Sequence, residues 1–171
     1  MVSSEEYYNA LAEGYDNLYK EEQLKKINII KSNNFVHKND YLLDVGCGTG
    51  FSLDLFEVKK AIGIDPSKEL IKQYSGEQKI ILGSAENLPF DNNSFDVVIS
   101  ITAIQNFTDI KKGLEEILRV GKNRFVITTL KKSTKHDLII RNINSVFNKK
   151  EFEIVEIDEG KDTIFFIKKI E

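Results

Sequence analysis

The chain has 171 residues, 41% of them hydrophobic, enough for one domain with its own core. A formal charge of -3 excludes a strongly basic nucleic-acid-binding surface but leaves room for local basic patches. No apolar run approaches the ~20 residues of a membrane span, and Met1 to Glu6 lacks the charged and apolar regions of a signal peptide, so a cytoplasmic protein with no membrane partner is expected. One cysteine excludes an internal disulfide framework, and Cys47 with two histidines gives no zinc pattern.

Residues 5–33 carry an amphipathic helical pattern, broken near Gly14, with Leu24, Ile27, Asn28 and Ile30 at helical spacing. Tyr41 to Val45 reads as strand one, and a helix is expected from about Thr49 to Phe56. Ala61 to Asp65 is strand two; Pro66 and Ser67 then open a helix through roughly Tyr74, as the fixed φ of proline favours. Ile80 to Gly83 is a short third strand. Phe95 to Ser100 is a fourth, apolar almost throughout, as a strand buried on both faces requires. Lys111 to Val120 is helical, Arg124 to Leu130 is strand five, and Thr134 to Phe147 is helical again. This alternation predicts an α/β fold with a largely parallel sheet between two helical layers. Glu151 to Ile157 and Thr163 to Ile170 are strands joined by a turn too short for a crossover helix, hence an antiparallel hairpin. No repeat, low-complexity segment or linker interrupts the chain, so residues 1–171 are read as one domain.

The densest cluster of chemical information is Leu42-Leu43-Asp44-Val45-Gly46-Cys47-Gly48-Thr49-Gly50. Three glycines at alternate positions permit positive φ and leave no Cβ between backbone and ligand. A dinucleotide fingerprint needs glycine at position 51, where Phe51 stands, and a P-loop needs a lysine that does not follow Gly50. Cys47 within this loop reads as a small residue beneath the turn. Asp65, ending strand two, is read either as a carboxylate accepting both hydroxyls of a ribose or as a helix cap.

The D-x-G-x-G-x-G spacing resembles the class I S-adenosylmethionine-dependent methyltransferases. Gly83-Ser84-Ala85-Glu86-Asn87-Leu88-Pro89-Phe90, followed by Phe95-Asp96, resembles the subgroup reading G-D-A-E-x-L-P-F … F-D. The resemblance implies a Rossmann-like three-layer sandwich with a seven-stranded sheet of order 3-2-1-4-5-7-6 and strand seven antiparallel. It implies an amino-terminal helical lid over 1–38 on a core of 39–171. It also implies S-adenosylmethionine as cofactor, with S-adenosylhomocysteine as product. Asp44, Gly46, Cys47, Gly48 and Gly50 would take the methionine end and Asp65 and Pro66 the ribose. Ser84, Ala85 and Glu86 would hold the adenine, and Ser100 would end strand four beside the cofactor. Glu86 also reads as a surface charge. The family usually has aspartate at position 84, and a hydroxyl accepts the adenine amino group less strongly than a carboxylate.

Ligands in open α/β sheets bind beyond the carboxyl ends of the strands, so the segment Ile101 to Phe107 should line the acceptor side. Gln105 and Asn106 stand where relatives often carry histidines; they are read as groups that orient a nucleophile or as solvent-facing amides. The N-P-P-Y tetrad of amide- and adenine-methylating enzymes is absent after strand four. Tyr7 to Tyr19 resembles the family's A-x-x-Y-D stretch. Tyr15 is the residue expected to wall the sulfonium and the reaction site. Short connections after strand five predict a shallow site suited to RNA or protein. Lys131, Lys132 and Lys135 form a basic cluster for RNA phosphates or a solvated loop. Some members of the family require a small zinc-binding activator protein, and a chain of this kind suits that arrangement. A small-metabolite methyltransferase and a non-catalytic cofactor-binding or scaffold protein are the other readings.

Overall fold

The computed structural model describes the backbone over residues 4–171 and side chains from Asn17 onward. It opens with α1 (Ser4–Ser32), one continuous helix that runs through Gly14 where the sequence pattern predicts a break. Strands β1 (Tyr41–Val45), β2 (Lys60–Asp65), β3 (Lys79–Leu82) and β4 (Phe95–Ser100) follow, with the single-turn helix α2 (Lys68–Ile71) between β2 and β3. Then come α3 (Ile110–Val120), β5 (Gly121–Leu130), α4 (His136–Val146), β6 (Phe152–Asp158) and β7 (Asp162–Lys169). The sheet has the order β3-β2-β1-β4-β5-β7-β6. The first five strands pair in parallel, and β7 runs antiparallel to both β5 and β6. This is the Rossmann-like methyltransferase architecture that the sequence implies.

Alternation of side chains explains why both faces are apolar. Leu43, Val45, Val98, Phe125 and Ile127 turn to the face covered by α3 and α4, where they meet Leu114, Ile117, Ile139, Ile143 and Phe147. Leu42, Val97, Ile99 and Val126 turn to the other face, where Ile27 and Ile30 of α1 join Leu53 and Phe56. Ile27 and Ile30 are fully buried, so the second half of α1 is a structural layer of the domain. Among the described residues no helix is long and apolar enough to cross a membrane.

Two expected helices differ. Residues 49–56 form consecutive turns closed by Leu53 N–H to Gly50 and Leu55 N–H to Ser52 bonds of 3.1 Å each. Here Leu53 and Phe56 are pulled into the core while Asp54 faces solvent, and this short stretch gains more from packing than from a regular helix. Helix α2 stops at Ile71 with no buried residue to hold a longer helix against the sheet.

Candidate active site

The loop after β1 is built by two backbone bonds to one acceptor. Gly46 and Cys47 N–H both donate to the Ile64 carbonyl of β2, at 2.8 and 3.1 Å. Gly46, Gly48 and Gly50 have φ of +79°, +56° and +75°, the left-handed region that L side chains avoid. A Cβ on Gly46 would stand 2.4 Å from the Ala103 Cβ, and one on Gly50 2.5 Å from the Tyr74 ring. The loop is therefore pressed between the segment after β4 and the segment after α2. Cys47 sits beneath it, its Sγ 2.6 Å from where a Gly63 Cβ would be. Burial and the nearby Asp44 and Asp65 push its thiol pKa up, which makes it a packing residue and not a nucleophile.

A cavity of about 830 Å³ opens beside this loop. Asp44, Gly46, Cys47, Gly48 and Gly50 line it, with Ser52, Asp54, Tyr74 and Ile101 around them and Tyr19, Lys20, Gln23 and Ile27 of α1 forming one side. Asp44 is 2% exposed. Its Oδ2 accepts a short hydrogen bond from the Ser52 hydroxyl, while its Oδ1 is buried without a partner. Burial pushes the Asp44 pKa up to about 7; the Ser52 bond opposes this and the charge of Asp65 adds to it. A buried carboxylate with an orphaned oxygen facing a cavity suits a cationic donor, and the ammonium of an amino acid is one.

Asp65 stands beside the loop. Its Oδ2 accepts from Gly48 N–H and its Oδ1 from Ser67 N–H, each at 2.8 Å. The cap of α2 is Ser67, whose hydroxyl accepts from Leu70 N–H, so Asp65 braces the turn and keeps one further lone pair on each oxygen. Pro66 is exposed next to it.

Asp65, Pro66 and the remaining expected positions lie outside the cavity lining. Ser84 is half-buried and Ala85 buried after β3. The Glu86 carboxylate accepts from Thr108 and Asp109 N–H at 2.8 and 3.1 Å, which fixes the entry to α3. Ser100 is fully buried, and its hydroxyl donates to the Val45 carbonyl at 2.9 Å, joining β4 to β1. Gln105 Nε2 donates to the Thr102 carbonyl at 2.7 Å, leaving Oε1 buried and unpartnered, and Asn106 is exposed. Lys135 Nζ donates to the Gln105 carbonyl at 3.0 Å, and Lys131 pairs with Asp158. Lys132 is exposed. The side chain of Tyr15 lies outside the described residues.

Sequence reasoning does not single out Lys20, Gln23, Ser52 or Tyr74. Positions 20, 23 and 27 share one helical face, a visible pattern, yet nothing in the sequence says what that face meets. Tyr74 OH donates to Asp54 at 2.9 Å and accepts from Gln78 N–H at 2.9 Å, closing the far wall.

A family model described as a methyltransferase domain matches residues 43–127. The chain is 37% identical over 103 residues to a demethylmenaquinone methyltransferase of Symbiobacterium thermophilum, covering 51% of this chain and 41% of the relative. It is 36% identical over 101 residues to a tRNA (carboxymethyluridine(34)-5-O)-methyltransferase of Arabidopsis thaliana, covering 56% of this chain and 25% of the relative. The chain spans about half the length of the first curated relatives it matches. Among solved structures, it superposes with a TM-score of 0.72 and 19% identity on a chain from the complex between the Haloferax volcanii Trm112 methyltransferase activator and a putative methyltransferase. That match covers 92% of this chain and 94% of the other.

Proposed function

The chain belongs to the class I S-adenosylmethionine-dependent methyltransferases, and from that premise we propose that it transfers a methyl group from S-adenosylmethionine to a macromolecular acceptor, RNA or protein. The observation that carries the cofactor half is the unpartnered Asp44 Oδ1 at the glycine loop, which fits the methionine ammonium. Gly46 to Gly50 bring backbone close to the methionine end, Asp65 accepts from the ribose hydroxyls through its spare lone pairs, and Ser84 with Ala85 N–H meets the adenine. When bound, the cofactor supplies an already activated methyl group. The chain therefore has to align the acceptor and exclude water, work that needs no strong base. Gln105 and Asn106 are the proposed orienting groups, and α1 is the proposed lid, supported by Tyr19, Lys20, Gln23 and Ile27 along the cavity.

The acceptor half rests on a short β5–α4 connection, with Lys135 exposed beside Gln105 and Lys132 exposed on the same connection. A small activator protein completing the site is part of this proposal, supported by the fold shared with a chain from an activator complex. The demethylmenaquinone methyltransferase relative favours a second reading, a small-molecule acceptor. Transfer of a labelled methyl from S-adenosylmethionine into fractionated RNA, protein and small-molecule pools, with and without a co-expressed activator, separates these. Label confined to small molecules overturns the macromolecular reading.

A further inference from the structure

We propose that Arg119 of α3, braced by Glu116, is a positioning residue for adenine recognition, a role that rests on the cofactor reading above. With Ser84 where the family usually carries aspartate, the side chain reads the base weakly and the Ala85 N–H carries more of the contact. A backbone donor cannot correct its aim by rotating a side chain, so its accuracy is that of the main chain behind it. That main chain is the segment from Ser84 to Phe90, and α3 holds it at three places. Glu86 accepts from Thr108 and Asp109 N–H at the entry to the helix. Ala85 lies over Gly113, where an added Cβ would stand 3.4 Å from the Ala85 Cβ. Further along, Glu116 and Arg119 take hold of Leu88 and Phe90.

Arg119 commits all five of its N–H donors to this arrangement. Its Nε donates to Glu116 Oε1 at 2.6 Å, and its Nη2 donates to Glu116 Oε2 at 2.8 Å and to the Leu88 carbonyl at 3.0 Å. Its Nη1 donates to the Phe90 carbonyl at 2.7 Å and to Asn92 Oδ1 at 3.0 Å. Glu116 Oε2 in turn accepts from the Leu88 N–H at 2.9 Å, so one ion pair fixes both the N–H and the carbonyl of Leu88. The Arg119 bond holds the Glu116 carboxyl below its ordinary value, against the opposing effect of burial, so the pair stays charged at neutral pH. With no donor left over, Arg119 is not a surface charge waiting for an anion. A planar fork that serves two carbonyls and a carboxylate at once is something a lysine ammonium cannot reproduce.

The test uses calorimetric titration with S-adenosylhomocysteine and with S-inosylhomocysteine, in which hypoxanthine replaces adenine. Adenine offers the Ala85 N–H a ring nitrogen that accepts, whereas hypoxanthine offers an N–H there and leaves two donors facing each other. Wild-type protein is expected to prefer the adenine ligand by about tenfold or more. Arg119→Met should bring the two affinities to within about twofold by weakening S-adenosylhomocysteine alone. Arg119→Lys keeps the charge beside Glu116, is the safer variant for folding, and should lose most of the same preference. Circular dichroism melts show which variants are folded at the titration temperature. An equal fall for both ligands, or a wild-type preference in the folded variants, overturns the positioning role while leaving the cofactor reading standing. Wild-type protein that binds both ligands equally removes adenine from this segment and the role of Arg119 with it. Wild-type protein that binds neither overturns the cofactor reading as well.

Discussion

Cofactor binding should be linked to one proton at Asp44. Burial raises this carboxyl from 3.8 to about 7. At about 1.36 kcal/mol per unit, keeping Asp44 ionised in the ligand-free protein costs roughly 4 kcal/mol. The free protein therefore holds a proton on Asp44 below pH 7 that the unfolded chain has released above about 4. The stabilisation from this proton is fully present below pH 4 and is lost as pH rises toward 7. An ammonium placed against Oδ1 favours the charged form, so binding releases the proton wherever the free protein carries it. S-adenosylhomocysteine affinity should then fall by about tenfold for each pH unit below 7 and level off above it. Titrations in buffers of different ionisation enthalpy should count close to one proton released at pH 6 and close to none at pH 8. Asp44→Asn should bind weakly with no such slope. Its stability relative to wild type should rise between pH 5 and 8, because only wild type loses stability there from this group. A flat wild-type affinity between pH 5.5 and 8, or proton uptake on binding, would refute the role given to Asp44.

Three further outcomes follow from packing and charge. Gly46→Ala combines a φ of +79° with a Cβ 2.4 Å from that of Ala103, so it should destabilise by roughly 2–3 kcal/mol and lower the melting temperature, read by circular dichroism. Lys26→Met strands the buried Asp162 carboxylate and should cost about 3–5 kcal/mol in denaturant titrations, while Lys26→Met with Asp162→Asn should recover most of that loss. Recovery is expected because the neutral amide oxygen still accepts from Thr102 and Thr128. Ser84→Asp should tighten S-adenosylmethionine binding about fivefold by calorimetry, since a carboxylate accepts an amino hydrogen more strongly than a hydroxyl does; unchanged affinity would remove the adenine from this segment.

The strands were legible because each carries its own evidence. Phe95 to Ser100 is apolar apart from Asp96 and Ser100 and is buried on both faces, and β1 starts and stops where the run Tyr41 to Val45 does. The hairpin was legible from a five-residue turn, and its Gly160 has a φ of +112°. The glycine loop was legible because backbone conformation is written in residue type. Residues 49–56 were not, since Leu53 and Phe56 have apolar spacing that suits a helix or a series of turns, and only the depth of the core decides between them. Ser100 and Glu86 show the same limit at the site. A polar residue at the end of a strand looks available to a ligand, but Val45 and the entry to α3 take these hydrogen bonds first. The α1 wall was hidden for a different reason: the shared face of positions 20, 23 and 27 is visible, but its docking on a distant strand end is a tertiary fact.

That docking also sets the acceptor side of the cavity. Thr102, directly after β4, has a φ of +53°, costly for a β-branched residue, of the order of 1–3 kcal/mol. Its N–H donates to Thr128 Oγ1 at 2.7 Å, and its hydroxyl lies 2.6 Å from Lys26 Nζ and 2.7 Å from Asp162. Lys26 comes from α1, Thr128 from β5 and Asp162 from the start of β7, so three elements hold one strained residue. The strain bends the chain so that Ala103 packs on Gly46 and the Thr102 carbonyl accepts the Gln105 amide. Without Lys26, the Asp162 carboxylate would still accept from Thr102 but would do so as an uncompensated buried charge. The segment proposed to orient the acceptor therefore takes its shape from contacts with residues near both ends of the chain, and an amino-terminal helix that looks like an appendage in the sequence is part of the frame that positions it.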